Sequence, residues 1–260
     1  MYQMSPQWTL LLEEDQLVAS AGADELYLVD EASPVEARAL HGAWRSGQPG
    51  TFDALGAAFA PLLGKLEKLG ALQRTRRPPG ATLRFALRAP VAIGVALDAL
   101  LETDLQHTDE RDAELLVWVR ASGTLMETLE PYATVRLPHL FVDLAYHHTI
   151  SLGPLVWPGE TACLGCLAGR IRHTWGDPEP PPAPEASTHV ALAAALVREQ
   201  LAEYRRLGSC PQLVERTVSF NVSTLATRTE RVHRLPWCPW CFPGETPYGA
   251  GSFALPWARS

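Results

Sequence analysis

The chain of 260 residues is 47% hydrophobic and 20% charged, the composition of a globular protein, and its length suits one large domain or two modest ones. Its formal net charge of -7 argues against a general nucleic-acid binder, because non-specific affinity for nucleic acid comes from Lys and Arg neutralising phosphates. The N-terminal MYQMSPQWTLLLEED has no basic region before its apolar stretch, and the most apolar segment, Pro90 to Leu101, is interrupted by Asp98; neither a signal peptide nor a membrane span is expected, and a cytoplasmic location follows.

Residues 1–75 read as one unit. Gln7 to Glu13, Gln16 to Ala19 and Glu25 to Asp30 are short strand candidates, separated by the turn formers Glu14-Asp15 and Gly22-Ala23-Asp24. A helix then opens with Ser33 as N-cap, Pro34 in its first turn and Glu36 placed to complete a capping box, and it should run to Ser46 and stop at Gly47. A short second helix is expected from Thr51 or Phe52 to Phe59, and a third from Pro61 to Leu69, ended by Gly70. In the third, Leu62, Leu66 and Leu69 share one stripe and Lys65 and Lys68 another. Three strands followed by three short helices make a winged-helix-like module.

RTRRPPG, Arg74 to Gly80, combines charge with a Pro-Pro-Gly breaker and marks the boundary to a second domain over residues 80–260. There Leu83 to Ile93 is strand-like, Val95 to Leu101 helix-like, Leu115 to Val119 a buried strand, Leu125 to Tyr132 helical and Leu140 to Leu144 a strand. His148 to Val156 continues hairpin-like into the turn Trp157-Pro158-Gly159. Strands alternating with helices make this an α/β layer, and the chain as a whole α+β. Asp177 to Ser187 holds five prolines in eleven residues and reads as an exposed crossover. Ser187 or Thr188 then caps a long helix to Leu207, with Val190, Ala194, Val197, Leu201 and Tyr204 in one apolar stripe. Val218 to Leu225 and Thr229 to Arg234 look like a strand pair, and the last nineteen residues, rich in Gly, Pro and aromatics, like irregular packing.

The cysteines carry the strongest signal. Cys163 and Cys166 form one CxxC, Cys238 and Cys241 another, and Cys210 stands alone as a small hydrophobe. A CxxC turn places two thiolates on one side of an ion, and two such turns complete a tetrahedral zinc shell with no position open to water, so the expected site is structural. The rival is redox chemistry, since CPWC is similar to a glutaredoxin-type dithiol. Such a dithiol opens a helix whose N-terminus lowers a thiol pKa, whereas Cys241 is followed by Phe-Pro-Gly. Other constellations are weaker. His147 and His148 face opposite ways if on a strand, and His139, Asp143 and Ser151 could form a hydrolase triad but lack the GxSxG elbow. Asp109 to Asp112 reads as a solvated loop, and the eight tryptophans as buried or interface surface.

The run GPLVWPGETACLGCLAGR (Gly153 to Arg170), the long helix, the strand pair and PWCPWC (Pro236 to Cys241) together resemble the C-terminal half of ThiF-like proteins related to ubiquitin-activating enzymes. More closely, they resemble the ThiF-like partner proteins of azol(in)e-forming RiPP biosynthesis, a bacteriocin-type pathway, over about residues 83 to 242. The resemblance implies a structural zinc on Cys163, Cys166, Cys238 and Cys241. The N-terminal order of elements resembles the winged-helix RiPP recognition element, in which a precursor's leader peptide adds as a strand to the third strand, against the third helix. On this sequence that implies an edge of Glu25, Leu26, Tyr27, Leu28, Val29 and Asp30, and a groove wall of Leu62, Lys65, Leu66, Lys68 and Leu69. Lys65, Lys68 and Arg74 would attract an acidic leader, while Tyr27, Val29 and the leucines have the plain alternative of being core.

Adenylating ThiF proteins carry a glycine-rich turn after their first strand, where amides approach a phosphate; the corresponding Ala92 to Asp98 has one glycine and no arginine clamp, which argues against ATP. The implied function is a non-catalytic, leader-binding subunit that serves a YcaO cyclodehydratase in thiazole or oxazole formation, with a flavin-dependent dehydrogenase following and the chain a homodimer. The alternatives are an ATP-dependent adenylating enzyme acting on a peptide, and a zinc-containing winged-helix regulator, which the acidic balance opposes.

Overall fold

A computed structural model describes residues 1–241 apart from 6–7, 22–24, 49, 75–80, 133, 147, 177–180, 182–183 and 237. The turn expected at Gly22 to Asp24, nearly all of RTRRPPG, most of the proline-rich crossover, His147 and the last nineteen residues lie outside the described residues. The chain divides into two compact units, residues 1–81 with 206–208, and residues 82–205 with 209–260.

In the first unit, β1 (Tyr2–Met4) precedes an antiparallel sheet of β2 (Thr9–Glu13), β3 (Gln16–Ala21) and β4 (Glu25–Val29), in that order. Its register sets Leu10 against Ala19 and Leu17 against Val29 on the face that joins the core, and Leu11, Val18 and Leu28 abreast on the other face. Helix α1 (Pro34–Ser46) starts where the sequence places it: the Ser33 hydroxyl accepts the Glu36 N–H and the Glu36 carboxylate accepts the Ser33 N–H, a completed capping box, and Gly47 closes it at φ 62°. The expected second helix is instead two 3-10 turns, Asp53–Leu55 and Ala57–Phe59. Gly56 between them adopts φ 81° and ψ -179°, which no helix accommodates. Helix α2 (Ala60–Leu69) follows and ends at Gly70. It buries Leu62, Leu63 and Leu66 against Leu10, Leu17 and Leu40. Finally β5 (Leu72–Arg74) returns to pair antiparallel with β1, a contact between triplets too short to carry a pattern in sequence.

The second unit is a mixed α/β layer. β6 (Leu83–Arg88) leads into α3 (Val91–Asp98); then come β7 (Leu105–His107), β8 (Leu115–Arg120), α4 (Leu125–Tyr132), β9 (His139–Tyr146) and β10 (Thr149–Val156). After them run α5 (Leu164–Trp175), α6 (Val190–Leu207), β11 (Arg216–Asn221) and β12 (Thr227–Arg231). The strand expected to reach Ile93 stops at Arg88, because Pro90 cannot donate to a strand ladder and takes the N-cap place of α3. The strand pair near the C-terminus is shifted by a few residues: the Asn221 side chain accepts the N–H groups of Ser223 and Thr224 and turns the chain there. Nor is the long helix capped by Ser187 or Thr188. Both lie in a 3-10 turn, and the Ser187 hydroxyl donates to the Pro184 carbonyl.

The seven strands are ordered β12-β11-β10-β9-β8-β6-β7, parallel from β9 through β7 and antiparallel from β9 through β12. Strand alternation sends Leu115, Val117, Val119, Leu140 and Val142 to one face, under α3 and the buried stripe of α6. Leu116, Trp118 and Phe141 point to the other, under α4 and α5. Both faces are covered, which is why all six residues of β8 are buried and its first five read as one continuous apolar run. Gly153 is required within β10: a Cβ there would lie 2.3 Å from the Arg216 carbonyl oxygen.

Candidate functional site

Helix α5, absent from the sequence expectations, builds half of the cysteine cluster. Cys163 is its N-cap residue, in extended conformation, and Cys166 sits one turn in, with its N–H donated to the Cys163 carbonyl at 3.0 Å. The other pair arrives beyond β12, where Cys238 N–H donates to the Leu235 carbonyl at 3.1 Å. The four sulfurs converge, with Cys163 Sγ 3.8 Å from Cys166, 3.4 Å from Cys238 and 3.3 Å from Cys241, Cys166 Sγ 3.5 Å from Cys241, and all within 4.8 Å of one another. A tetrahedral ion with Zn–S bonds of about 2.3 Å requires sulfur separations of about 3.8 Å, so the cage is close to the right size.

The chemistry of the donor set also fits. Four soft thiolates select zinc over hard cations, and the amides at the start of α5 favour negative charge on Cys163 and Cys166. The Leu235 N–H reaches Cys166 Sγ at 3.3 Å, a further donor that favours the thiolate. Hydrogen bonds from neighbouring thiols, Cys163 first, hold the Cys166 and Cys241 thiols below the ordinary thiol range. Cys163, Cys166 and Cys238 are buried and Cys241 is half-buried. The four cysteines are therefore compatible with a structural zinc, whose tetrahedral shell four thiolates would fill. Cys210 lies apart, buried, its thiol donating to the Gln200 carbonyl at 3.3 Å.

Two features that sequence reasoning missed hold this cage. The Trp240 ring of the second pair lies on Gly165 of the first, so that a Cβ at residue 165 would come within 2.5 Å of the ring. The glycine of CLGC and the tryptophan of CPWC are complementary, a hint visible in the motifs themselves. Beneath them, Leu164 N–H donates to the Tyr132 hydroxyl at 3.2 Å, Tyr132 O–H donates to His139 Nε2 at 2.9 Å, and His139 Nδ1–H donates to the Leu137 carbonyl at 2.8 Å. Only the neutral imidazole satisfies that chain, and burial pushes its pKa down to about 4. Burial likewise raises the Tyr132 phenol.

His139 is thus engaged at both nitrogens and does not form a triad with Asp143 and Ser151. Asp143 instead accepts a bidentate pair from Arg120, Nε to Oδ1 at 3.1 Å and Nη2 to Oδ2 at 2.6 Å, with side chains only 8% and 2% exposed. The Arg120 guanidinium lies 4.6 Å from the Tyr146 ring centre. Arg88 is committed too, to Glu110, and stacks over Trp118. Asp143, Tyr146 and Ser151 also border an open cleft of about 410 Å³ with Ser219, Arg228 and Ile171.

In the first unit, β4 is the edge strand of its sheet, and Leu26, Tyr27 and Leu28 are 64%, 43% and 48% exposed. Glu25 and Asp30 at its ends are exposed as well. Val29, Leu62 and Leu66 are core side chains; Leu69 and Lys65 are half-buried and Lys68 is exposed. Lys65 is bound to both Glu31 and Asp30, and Glu31 first among these holds its ammonium above the ordinary range. Arg74 is tied to Glu67 and to the Tyr2 hydroxyl at 2.8 Å.

No family profile matches the sequence, and no curated protein sequence does either. Solved structures do match. A heterocyclase in complex with substrate and cofactor is 16% identical with a TM-score of 0.50, 92% of this chain covering 39% of that one. The heterocyclase TruD is 17% identical with a TM-score of 0.50, over 92% of this chain and 42% of that one. The likeness is one of fold. E. coli MccB shares it at 12% identity and a TM-score of 0.51, over 92% of this chain and 96% of that one. The chain thus spans about two-fifths of the length of the two heterocyclases. Among the described residues no helix is long and apolar enough to cross a membrane.

Proposed function

We propose that the chain is a non-catalytic, leader-peptide-binding partner of a YcaO-type cyclodehydratase in RiPP biosynthesis. In this reading residues 1–75 are a winged-helix recognition element and residues 80–260 a ThiF-like scaffold held by a structural zinc. The observation that carries it is β4, an edge strand that offers backbone hydrogen bonds beside three consecutive exposed apolar side chains, Leu26, Tyr27 and Leu28. The fold neighbours support it: one is a heterocyclase in complex with substrate and cofactor, of which this chain matches about two-fifths. A flavin-dependent dehydrogenase would follow to aromatise the rings, and the subunit acts as a homodimer in the cytoplasm.

The reading as an adenylating enzyme finds less support at the place where a nucleotide would sit. The connection from β6 to α3 is Ala89-Pro90, without a glycine turn, and Arg88 and Arg120, at the ends of parallel strands, are consumed by Glu110 and Asp143. The test is titration of the purified chain with the fluorescent leader of any short Cys/Ser/Thr-rich peptide found encoded beside its gene. Saturable binding, with no pyrophosphate released from ATP and peptide, is expected. Absence of binding, or pyrophosphate release by the chain alone, overturns the proposal.

A further inference from the structure

The charge around β4 differs from what its lysines alone suggest. Glu25 stands at one end of the strand and Asp30 and Glu31 at the other; Lys65, the cation nearest to them, is bound to both of the latter. Three carboxylates against one ammonium leave two net negative charges along the edge. Arg74 adds nothing, since Glu67 and Tyr2 hold it, and Lys68 is the one cation of the α2 wall without an ion pair among the described residues. The side-chain faces are equally defined. Leu26 and Leu28 lie on the outer face with Leu11 and Val18, where register sets Leu11, Val18 and Leu28 abreast. Tyr27 lies on the inner face, its ring centre 5.7 Å from that of Trp8.

We infer that the segment which adds to β4 is a cationic, apolar β-strand rather than an acidic one; the inference rests on the reading of β4 as the docking edge. An added strand continues the outer apolar row with alternate Val, Ile or Leu residues. It meets Glu25 at one end and Asp30 and Glu31 at the other with Lys or Arg spaced about five residues apart, the length of β4 at about 3.3 Å per residue. Rim charges of this kind set partner choice and association more than total affinity, and salt screens them.

The test uses the full chain and two fluorescein-labelled nonapeptides of alternating Val and Thr, one with Lys and the other with Glu at the two positions that face the ends of β4. At about 20 mM salt the Lys peptide should bind about tenfold tighter than the Glu peptide, and at about 0.5 M salt the ratio should shrink to about twofold or less. Glu25→Lys combined with Glu31→Lys, both at exposed positions, should reverse the preference with an unchanged circular dichroism spectrum, and Leu28→Ser should weaken both peptides alike. If the Glu peptide binds as well as or better than the Lys peptide at low salt, the charge inference falls while the docking edge stands. If neither peptide saturates, the docking edge falls and takes the inference with it.

Discussion

The cysteine cage and the β4 edge are built on opposite physical terms. The cage gathers four sulfurs from two segments more than seventy residues apart and buries three of them beneath apolar side chains, so that every donor faces inward. At β4, backbone donors and acceptors are open along an edge and Leu26, Tyr27 and Leu28 are exposed, in a strand of five residues. The difference teaches where to look for stability and where for recognition: substitutions in the cage should unfold the second unit, and substitutions at the exposed Leu26 and Leu28 of β4 should leave folding alone.

The largest effect tests the cage. Cys163→Ser or Cys238→Ser should abolish stoichiometric zinc by elemental analysis and remove a stabilisation on the order of 10 kcal/mol, read as loss of the cooperative melt. A chelator added to the wild-type chain in mild denaturant should do the same, and an unchanged melt would show that the thiols need no metal. Next comes Arg120→Met, which strands a buried carboxylate and should cost about 3–5 kcal/mol in urea unfolding; Arg120→Met with Asp143→Leu should recover most of it.

A smaller effect is a dependence on pH. The His139 imidazole, neutral in the fold, has its pKa lowered to about 4, against about 6.5 in the unfolded chain. Above pH 6.5 neither state binds the proton. Between about 6.5 and 4 only the unfolded state does, so stability falls as the pH drops through that window, by about 3 kcal/mol in all. His139→Gln should flatten that part of the profile, measured as the difference in urea midpoint from the wild type. Gly165→Ala is expected to cost about 1–3 kcal/mol, because the methyl overlaps the Trp240 ring, and Trp240→Leu should relieve part of it. The smallest effect belongs to the other region: Leu26→Ser should change stability by no more than about 0.5 kcal/mol. It should nevertheless weaken peptide binding at the edge, and a large loss of stability would mean that Leu26 serves the fold.

Much of the local architecture is legible in the chain. Ser33, Pro34 and Glu36 announce α1 because a capping box is completed within four residues, and the stripe through Ala194, Val197 and Leu201 announces α6 because one face of it is buried. Helix α5 escapes the same reading because its opening residues, CLGC, read first as a metal motif. The pairings of β1 with β5 and of β7 with β6 escape it because three residues carry no periodicity. At β4 the strand was legible but its charge was not: the pairing of Lys65 with Asp30 and Glu31 joins residues 34 and 35 positions apart.

By itself the sequence determined the elements whose signals close within a few residues, and the identity of the four cysteines, since CxxC spacing is a property of one turn of chain. Only the tertiary structure decided that the two turns meet within 4.8 Å, that Gly165 makes room for Trp240, that Arg120 is spent on Asp143, and that Leu26 to Leu28 stay exposed. Caps, turns and periodicities are short-range preferences written residue by residue. Convergence of groups from distant segments depends on how buried faces pack, and that packing is a property of the whole fold rather than of any segment.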